Sequence, residues 1–185
     1  GEAGELLVKG RNVFAEYIFK AKATQDSFTP DGWFLTGDTA ICVQVADDII
    51  QAAAKCREVA GLDTQKGRPS AGTVAYKIMG RSSVDIIKSG GYKLSALEIE
   101  SALTEMDFIS EAAVVGLEDE EWGEVVGAVL VVSRPTTLEE VRETGKQRMA
   151  AYKCPKKVLF VDSLPRNAMG KLEKTKVKAL FQAAA

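Results

Sequence analysis

The sequence contains no histidine. That absence removes the Ser-His-Asp and Cys-His nucleophile arrangements and every zinc site built on an imidazole ligand. Cysteine is scarce: Cys42, Cys56 and Cys154 are odd in number and widely spaced, which suggests neither a zinc knuckle nor a disulfide framework. Free thiols in a reducing compartment are the expected state, with the compartment itself left open. No apolar run approaches the roughly 18 residues of a membrane span, so no membrane span is expected. No signal-peptide pattern opens the chain. It starts at Gly1 in a strand-like GELLVKG and reads as the middle of something longer. Basic residues are not interleaved with aromatics and no nucleic-acid motif is visible, which argues against a nucleic-acid partner. Chemistry, if present, must rest on lysine, arginine, carboxylates and backbone groups.

What is present is globular in character. Of 185 residues, 46% are hydrophobic and 27% charged, which excludes disorder. The length suits one domain with a core, or a small domain plus part of another. Charge is unevenly placed. Residues 94–124 hold ten acids and no lysine or arginine, whereas residues 146–178 hold ten bases against Asp162 and Glu173 alone. Two solvated faces would account for this; so would a basic segment that meets a polyphosphate.

Along the chain, ELLVK at 5–9 reads as a strand bounded by glycines. Phe14, Tyr17 and Ile18 fall at i, i+3 and i+4 and predict a short helix over 13–19. Pro30-Asp31-Gly32 marks a turn, and residues 33–35 a brief strand that delivers Asp38 at its end. Residues 48–59 have helical composition, 66–72 read as a polar loop, and 73–79 as a strand. Ser95 and Glu98 form a Ser-x-x-Glu capping box ahead of an apolar face of Leu97, Ile99, Ala102, Leu103 and Met106. Residues 109–117 and 125–132 predict buried strands. Thr137 and Glu140 form a second capping box, opening a helix to about residue 151. A strand at 158–161 and a helix at 174–182 complete the chain.

The densest stretch is residues 80–100, GRSSVDIIKSGGYKLSALEIE, which sets an arginine, an acid, a lysine and paired glycines close together. It resembles the hinge and following motif of the AMP-forming acyl-CoA synthetases, the adenylate-forming ligase superfamily, and IIKSGGYKLSALEIE is most similar to the malonyl-CoA synthetase-like branch. FTPDGWFLTGD (28–38) and LPRNAMGK (164–171) match the same family in the same order. One departure stands out. Between Asp38 and Arg81 the family runs through a short hairpin with a D-G-Y/F-like turn, which is absent here, and the segment is much longer. An insertion at about 43–72, a retained intron or a gene-model error would each produce this.

The resemblance implies an α+β fold in two parts: residues 1–83 as the end of a large AMP-binding domain, and 84–185 as a small, compact C-terminal lid. It implies a two-step reaction, in which a carboxylate and ATP give an acyl-adenylate that the CoA thiol converts to a thioester. Asp38 would hold the ribose hydroxyls of ATP or AMP and Arg81 would contact the same ribose. The hinge falls at Ser83, Val84 or Asp85, with Asp85 chemically preferred. Lys171 is the adenylation lysine, Lys88 a lysine of the thioester-forming face, and Gly90 and Gly91 border the pantetheine tunnel. Local readings compete at each position: a turn aspartate is commonly a backbone acceptor, Lys171 sits in a lysine-rich tail, and a plain turn also uses two glycines.

The family's phosphate loop is not found here, nor is the domain that builds its acyl pocket. ATP, CoA and Mg2+ are the implied cofactors, with Mg2+ bound mainly by the missing N-terminal region. A small carboxylic acid, malonate or a similar dicarboxylate, is the implied substrate, and an N-terminal adenylation domain the implied partner. Alone, the chain is not expected to complete a turnover. The rival readings are a non-catalytic lid that complements a separate adenylation domain or docks a carrier protein, and an adenylation domain that loads a carrier.

Overall fold

The computed structural model describes residues 2–44 and 74–184. The helix expected over 48–59, the polar loop over 66–72 and nearly all of the inferred insertion lie outside the described residues. Two β-sheets with helices segregated beside them make an α+β fold. The first sheet has the antiparallel order β1-β2-β3, from Ala3–Val8, Phe34–Gln44 and Val74–Arg81. Its strands are mostly exposed or half-buried.

The second sheet contains β4 (Ile86–Ser89), β5 (Tyr92–Ser95), β6 (Ile109–Asp119), β7 (Gly123–Val132) and β8 (Lys157–Phe160). β7 is its centre: it pairs antiparallel with β6 along its length, meets β4 at Gly123 and runs parallel to β8. The unbroken apolar runs of β6 and β7 follow from burial on both faces. Val114, Val126, Ala128 and Leu130 pack with Ile99, Leu103 and Met106 on one face. Ala113, Val115, Val125 and Val129 pack with Leu164 and Val177 on the other. Alternate residues of a strand point to opposite faces, so a sheet between two helical layers needs apolar residues at nearly every position.

The helices start where short polar side chains can hold free backbone N–H groups. Ser95 Oγ accepts the Glu98 N–H at the start of α2 (Ala96–Thr104), and Thr137 Oγ1 accepts the Glu140 N–H at the start of α3 (Leu138–Lys146). Neither glutamate closes its box reciprocally. Glu98 pairs with Lys153 at 2.8 Å, and Glu140 with Arg134 and Thr136. α3 ends near Lys146, short of the expected 151. The chain folds back through a 3-10 turn at Ala151–Lys153, so that Cys154 Sγ lies against Gly145, 3.3 Å from where a Cβ would stand. The last helix, α4 (Lys174–Ala183), buries Val177.

Two expectations near the N-terminus fail. Residues 13–19 form turns, not a helix, and Phe19 is left-handed at φ 58°. The i, i+3 spacing of Phe14 and Tyr17 instead feeds an aromatic cluster, with the Phe14 ring 5.0 Å from Phe34 and 5.7 Å from Phe28. A short helix, α1 (Ala21–Asp26), follows; it buries nothing and so left no apolar period to read. The strand expected to be brief at 33–35 becomes the eleven-residue β2, because β1 and β3 flank it on both sides. Asp38 therefore lies within a strand and not at its end. Leu97, expected on the inner face of α2, is exposed.

Candidate functional site at the seam between the sheets

The chain passes from the first sheet to the second between Arg81 and Ile86, and three of the sequence-predicted residues, Asp38, Arg81 and Asp85, gather there. Asp38 and Arg81 are register partners on β2 and β3, and their side chains form an ion pair, Nε to Oδ1 at 3.2 Å. Gly37 adopts φ 74°, which favours glycine, while an added Cβ would meet the Arg81 guanidinium only in ordinary contact at 3.5 Å. Arg81 also donates from Nη1 to the Thr36 carbonyl at 3.4 Å, and with its side chain 65% exposed its outer nitrogen is open to solvent. A carboxylate and a guanidinium held side by side on neighbouring strands can accept from and donate to adjacent hydroxyls, the pattern a ribose presents.

Asp85 sits at the crossing. Its Oδ2 accepts the Arg81 backbone N–H at 3.0 Å, its own N–H donates to the Arg81 carbonyl at 2.8 Å, and its carbonyl accepts the Ala96 N–H at 2.7 Å. Gly80 is required beside it: at φ 123°, an added Cβ would stand 2.5 Å from the Asp85 Cβ. The other carboxylate oxygen faces Lys174 on α4, 3.6 Å away. Lys174 also donates to Glu100 at 2.5 Å and to the Val114 carbonyl at 2.8 Å. Sequence reading missed Lys174 and Glu100 as partners of the crossing. One lysine among many in the tail carries no positional signal until the fold places α4 beside it.

Lys88 lies on β4. Its N–H donates to Glu124 at 2.7 Å, while its ammonium has no partner among the described residues. Gly90 and Gly91 form the two-residue loop between β4 and β5, with φ of 56° and 83°. Two positive φ values match the tight hairpin turn whose twist suits its flanking strands. Gly90 also lies under Trp122, where a Cβ would stand 2.8 Å from the indole, whereas Gly91 is open. Lys156 covers the Trp122 ring at 4.6 Å.

Lys171 is on the loop before α4, apart from Asp38, Arg81 and Lys88, with none of which it makes contact. The loop is braced from within. Asn167 Oδ1 accepts the N–H groups of Met169 and Lys171, Arg166 donates to the Gly170 carbonyl and pairs with Glu111, and Gly170 supplies φ 77°. Among the described residues, the Lys171 ammonium has no acceptor and the residue is exposed. A rigid loop therefore presents an uncommitted cation.

The acidic and basic segments meet across the second sheet. Lys153 pairs with Glu98, Arg148 with Glu105, Arg166 with Glu111 and Lys174 with Glu100. Four of the ten acids in residues 94–124 are thus paired with the basic segment, and the others form no ion pair among the described residues. Cys154 is buried, and desolvation pushes its thiol above the ordinary cysteine value of 9.0, while Cys42 is exposed. Both are free thiols. Among the described residues no three acids or thiols converge as a metal site, and no helix is long and apolar enough to cross a membrane.

Residues 98–171 match the family of the AMP-binding enzyme C-terminal domain. A CoA ligase from Gibberella moniliformis is 43% identical over 183 residues, covering 96% of this chain and 28% of the relative. A malonate–CoA ligase from Arabidopsis thaliana is 40% identical over 187 residues, covering 95% of this chain and 26% of the relative. The chain thus spans just over a quarter of the length of these relatives. Of the solved structures, ATP-bound MatB from Rhodopseudomonas palustris is 31% identical and superposes with a TM-score of 0.70, over 100% of this chain and 31% of its own. The same protein in its apo form gives 0.59 over the same coverage. The chain thus carries, over residues 98–171, the C-terminal domain of the AMP-binding enzymes, and along nearly its whole length it is similar to the C-terminal part of CoA ligases.

Proposed function

We propose that the chain is the C-terminal part of an ATP-dependent carboxylic acid–CoA ligase, with residues 1–83 ending the large domain and 84–185 forming the lid. The observation that carries this reading is the pairing of Asp38 with Arg81 on neighbouring strands, at the point where the chain crosses to a second body that bears Lys171. In the first step a substrate carboxylate oxygen bonds to the α-phosphorus of ATP as the bond to pyrophosphate breaks. In the second, the CoA sulfur bonds to the acyl carbon, the bond to the AMP oxygen breaks, and the thiol proton is released.

Asp38 and Arg81 bind the ribose, and so fix the nucleotide. Lys171 supplies positive charge where negative charge gathers in the first step. Lys88, beside the β4–β5 turn, serves the thioester-forming face, and Gly90 and Gly91 leave room for the pantetheine arm. Mg2+ takes few protein carboxylates and many phosphate and water oxygens; the described residues offer no three-acid site, so the ion would travel with the triphosphate. Malonate is the acid proposed, on the resemblance to ligases named for it.

The test is Lys171→Ala in the full-length protein that carries this sequence. Adenylate formation, read as pyrophosphate release, is expected to fall about a hundredfold or more, the size of losing a preorganised charge donor. Thioester formation from supplied malonyl-adenylate is expected to persist. Equal loss of both steps would overturn the role given to Lys171, and activity with acids other than malonate alone would overturn the substrate.

A further inference from the structure

Resting on that reading of a mobile lid, we propose that Lys174 is a positioning residue that holds the lid in the arrangement seen here, by pairing with the hinge carboxylate of Asp85. Asp85 bridges two bodies. One carboxylate oxygen takes the N–H of Arg81, the last residue of the first sheet, and the other faces Lys174 on the final helix of the lid. The pair is largely out of solvent, with side chains 14% and 12% exposed, so water screens it little.

The three acceptors around Lys174 are not equivalent. Glu100 lies on α2 and Val114 on β6, both within the lid, and Glu100 is itself tied to the Val114 N–H at 2.7 Å. These partners move with Lys174 when the lid turns, and keep its ammonium seated. Asp85 lies on the hinge, so its contact depends on the lid's angle. Rotation about the crossing breaks one of three interactions and leaves the lysine satisfied. Such a contact biases a two-state equilibrium without being needed for the lid's fold. Ser83, Val84 and Ile86 also line a cavity of about 320 Å³ with Lys174, which gives the hinge segment space beside the pair.

The chain superposes better on the ATP-bound relative, with a TM-score of 0.70, than on its apo form, at 0.59. Loss of the pair is therefore expected to penalise the step that consumes ATP. Removing the lysine alone would strand Glu100 in a poorly solvated place, so the informative variant is Lys174→Met combined with Glu100→Gln in the full-length protein. Asp85→Asn is the companion. For each, the two half-reactions are measured separately, adenylate formation from malonate and ATP, and thioester formation from supplied adenylate.

Both variants are expected to lower the ratio of the first rate to the second about tenfold, the scale of one coupled pair. Combining them should add little. If Asp85→Asn shifts the ratio and the Lys174 variant does not, the latch is wrong and the hinge reading stands. If neither shifts it, the hinge reading falls and the latch with it. If the Lys174 variant depresses both steps equally, Lys174 is only structural; a rise in the ratio would also overturn the proposal.

Discussion

Single residues here are decided by what stands beside them. Gly90 is the clearest case, because its left-handed φ and its closeness to Trp122 both exclude a side chain. Gly90→Ala is expected to cost about 1–2 kcal/mol from backbone conformation alone, with a further penalty as the indole is displaced. Gly91→Ala should cost only the backbone share, since its surroundings are open. Chemical denaturation of the two variants would measure the difference, and equal losses would show that the Trp122 contact is unimportant.

The cysteines separate by the same logic. Buried Cys154, its thiol raised by desolvation, is expected to react with a thiol reagent far more slowly than exposed Cys42 in the native protein, with the gap closing in denaturant. Comparable native rates would show that the fold around Gly145 opens readily. A raised thiol also opposes stability at high pH. The unfolded chain releases this proton above about 9.0, whereas the folded chain holds it, so the Cys154 contribution falls as pH rises through that value.

At the level of elements, the starts of the helices connect local sequence to the packing of the sheets. Ser95 Oγ caps α2 and also donates to the Met79 carbonyl on β3 at 2.6 Å. Ser95→Ala removes the cap and leaves the half-buried Met79 carbonyl short of a donor, so a loss of about 2 kcal/mol is expected, at the upper end for a cap. Ser95→Thr should recover part of it. A loss of only a few tenths would show that the link to β3 contributes nothing.

The start of α3 makes a pH prediction. Arg134 and Thr136 hold the Glu140 carboxyl below its ordinary value of 4.5. A lowered carboxyl contributes stability above its unfolded value and loses it as pH falls through the folded one. Glu140→Gln is therefore expected to flatten the stability profile below about pH 4.5. An unchanged profile would assign the acid sensitivity elsewhere. The pair is exposed, so salt should weaken the effect.

For the whole molecule, the contrast between the two sheets matters most. The second sheet is buried on both faces by α2, α3 and α4, whereas the first exposes Tyr76, Ile78 and Val74 on β3. Hydrogen exchange is expected to be slowest in β6 and β7, and much faster in β1, β2 and β3 of this chain alone. Uniform protection would mean that the first sheet needs no further covering. The difference accords with a chain that spans about a quarter of its relatives' length.

The sequence by itself determined what is local. Ser95 and Thr137 announced their helices because a hydroxyl three residues before a free N–H is a local geometry. Gly90-Gly91 announced a turn because only glycine takes two positive φ values freely. The runs of β6 and β7 announced buried strands, and the ordered motifs announced the family. Tertiary structure decided what depends on partners far along the chain. Phe14 and Tyr17 joined Phe28 and Phe34 instead of forming a helix. Four acids of the acidic segment turned out to pair with bases of the basic one, since the fold sets α2 and β6 beside the tail. Lys174, one basic residue among ten in its segment, became the partner of Asp85 only when α4 was laid against the crossing. Periodicity and capping act within a few residues, whereas an ion pair across ninety residues is set by packing, which no short window of sequence contains.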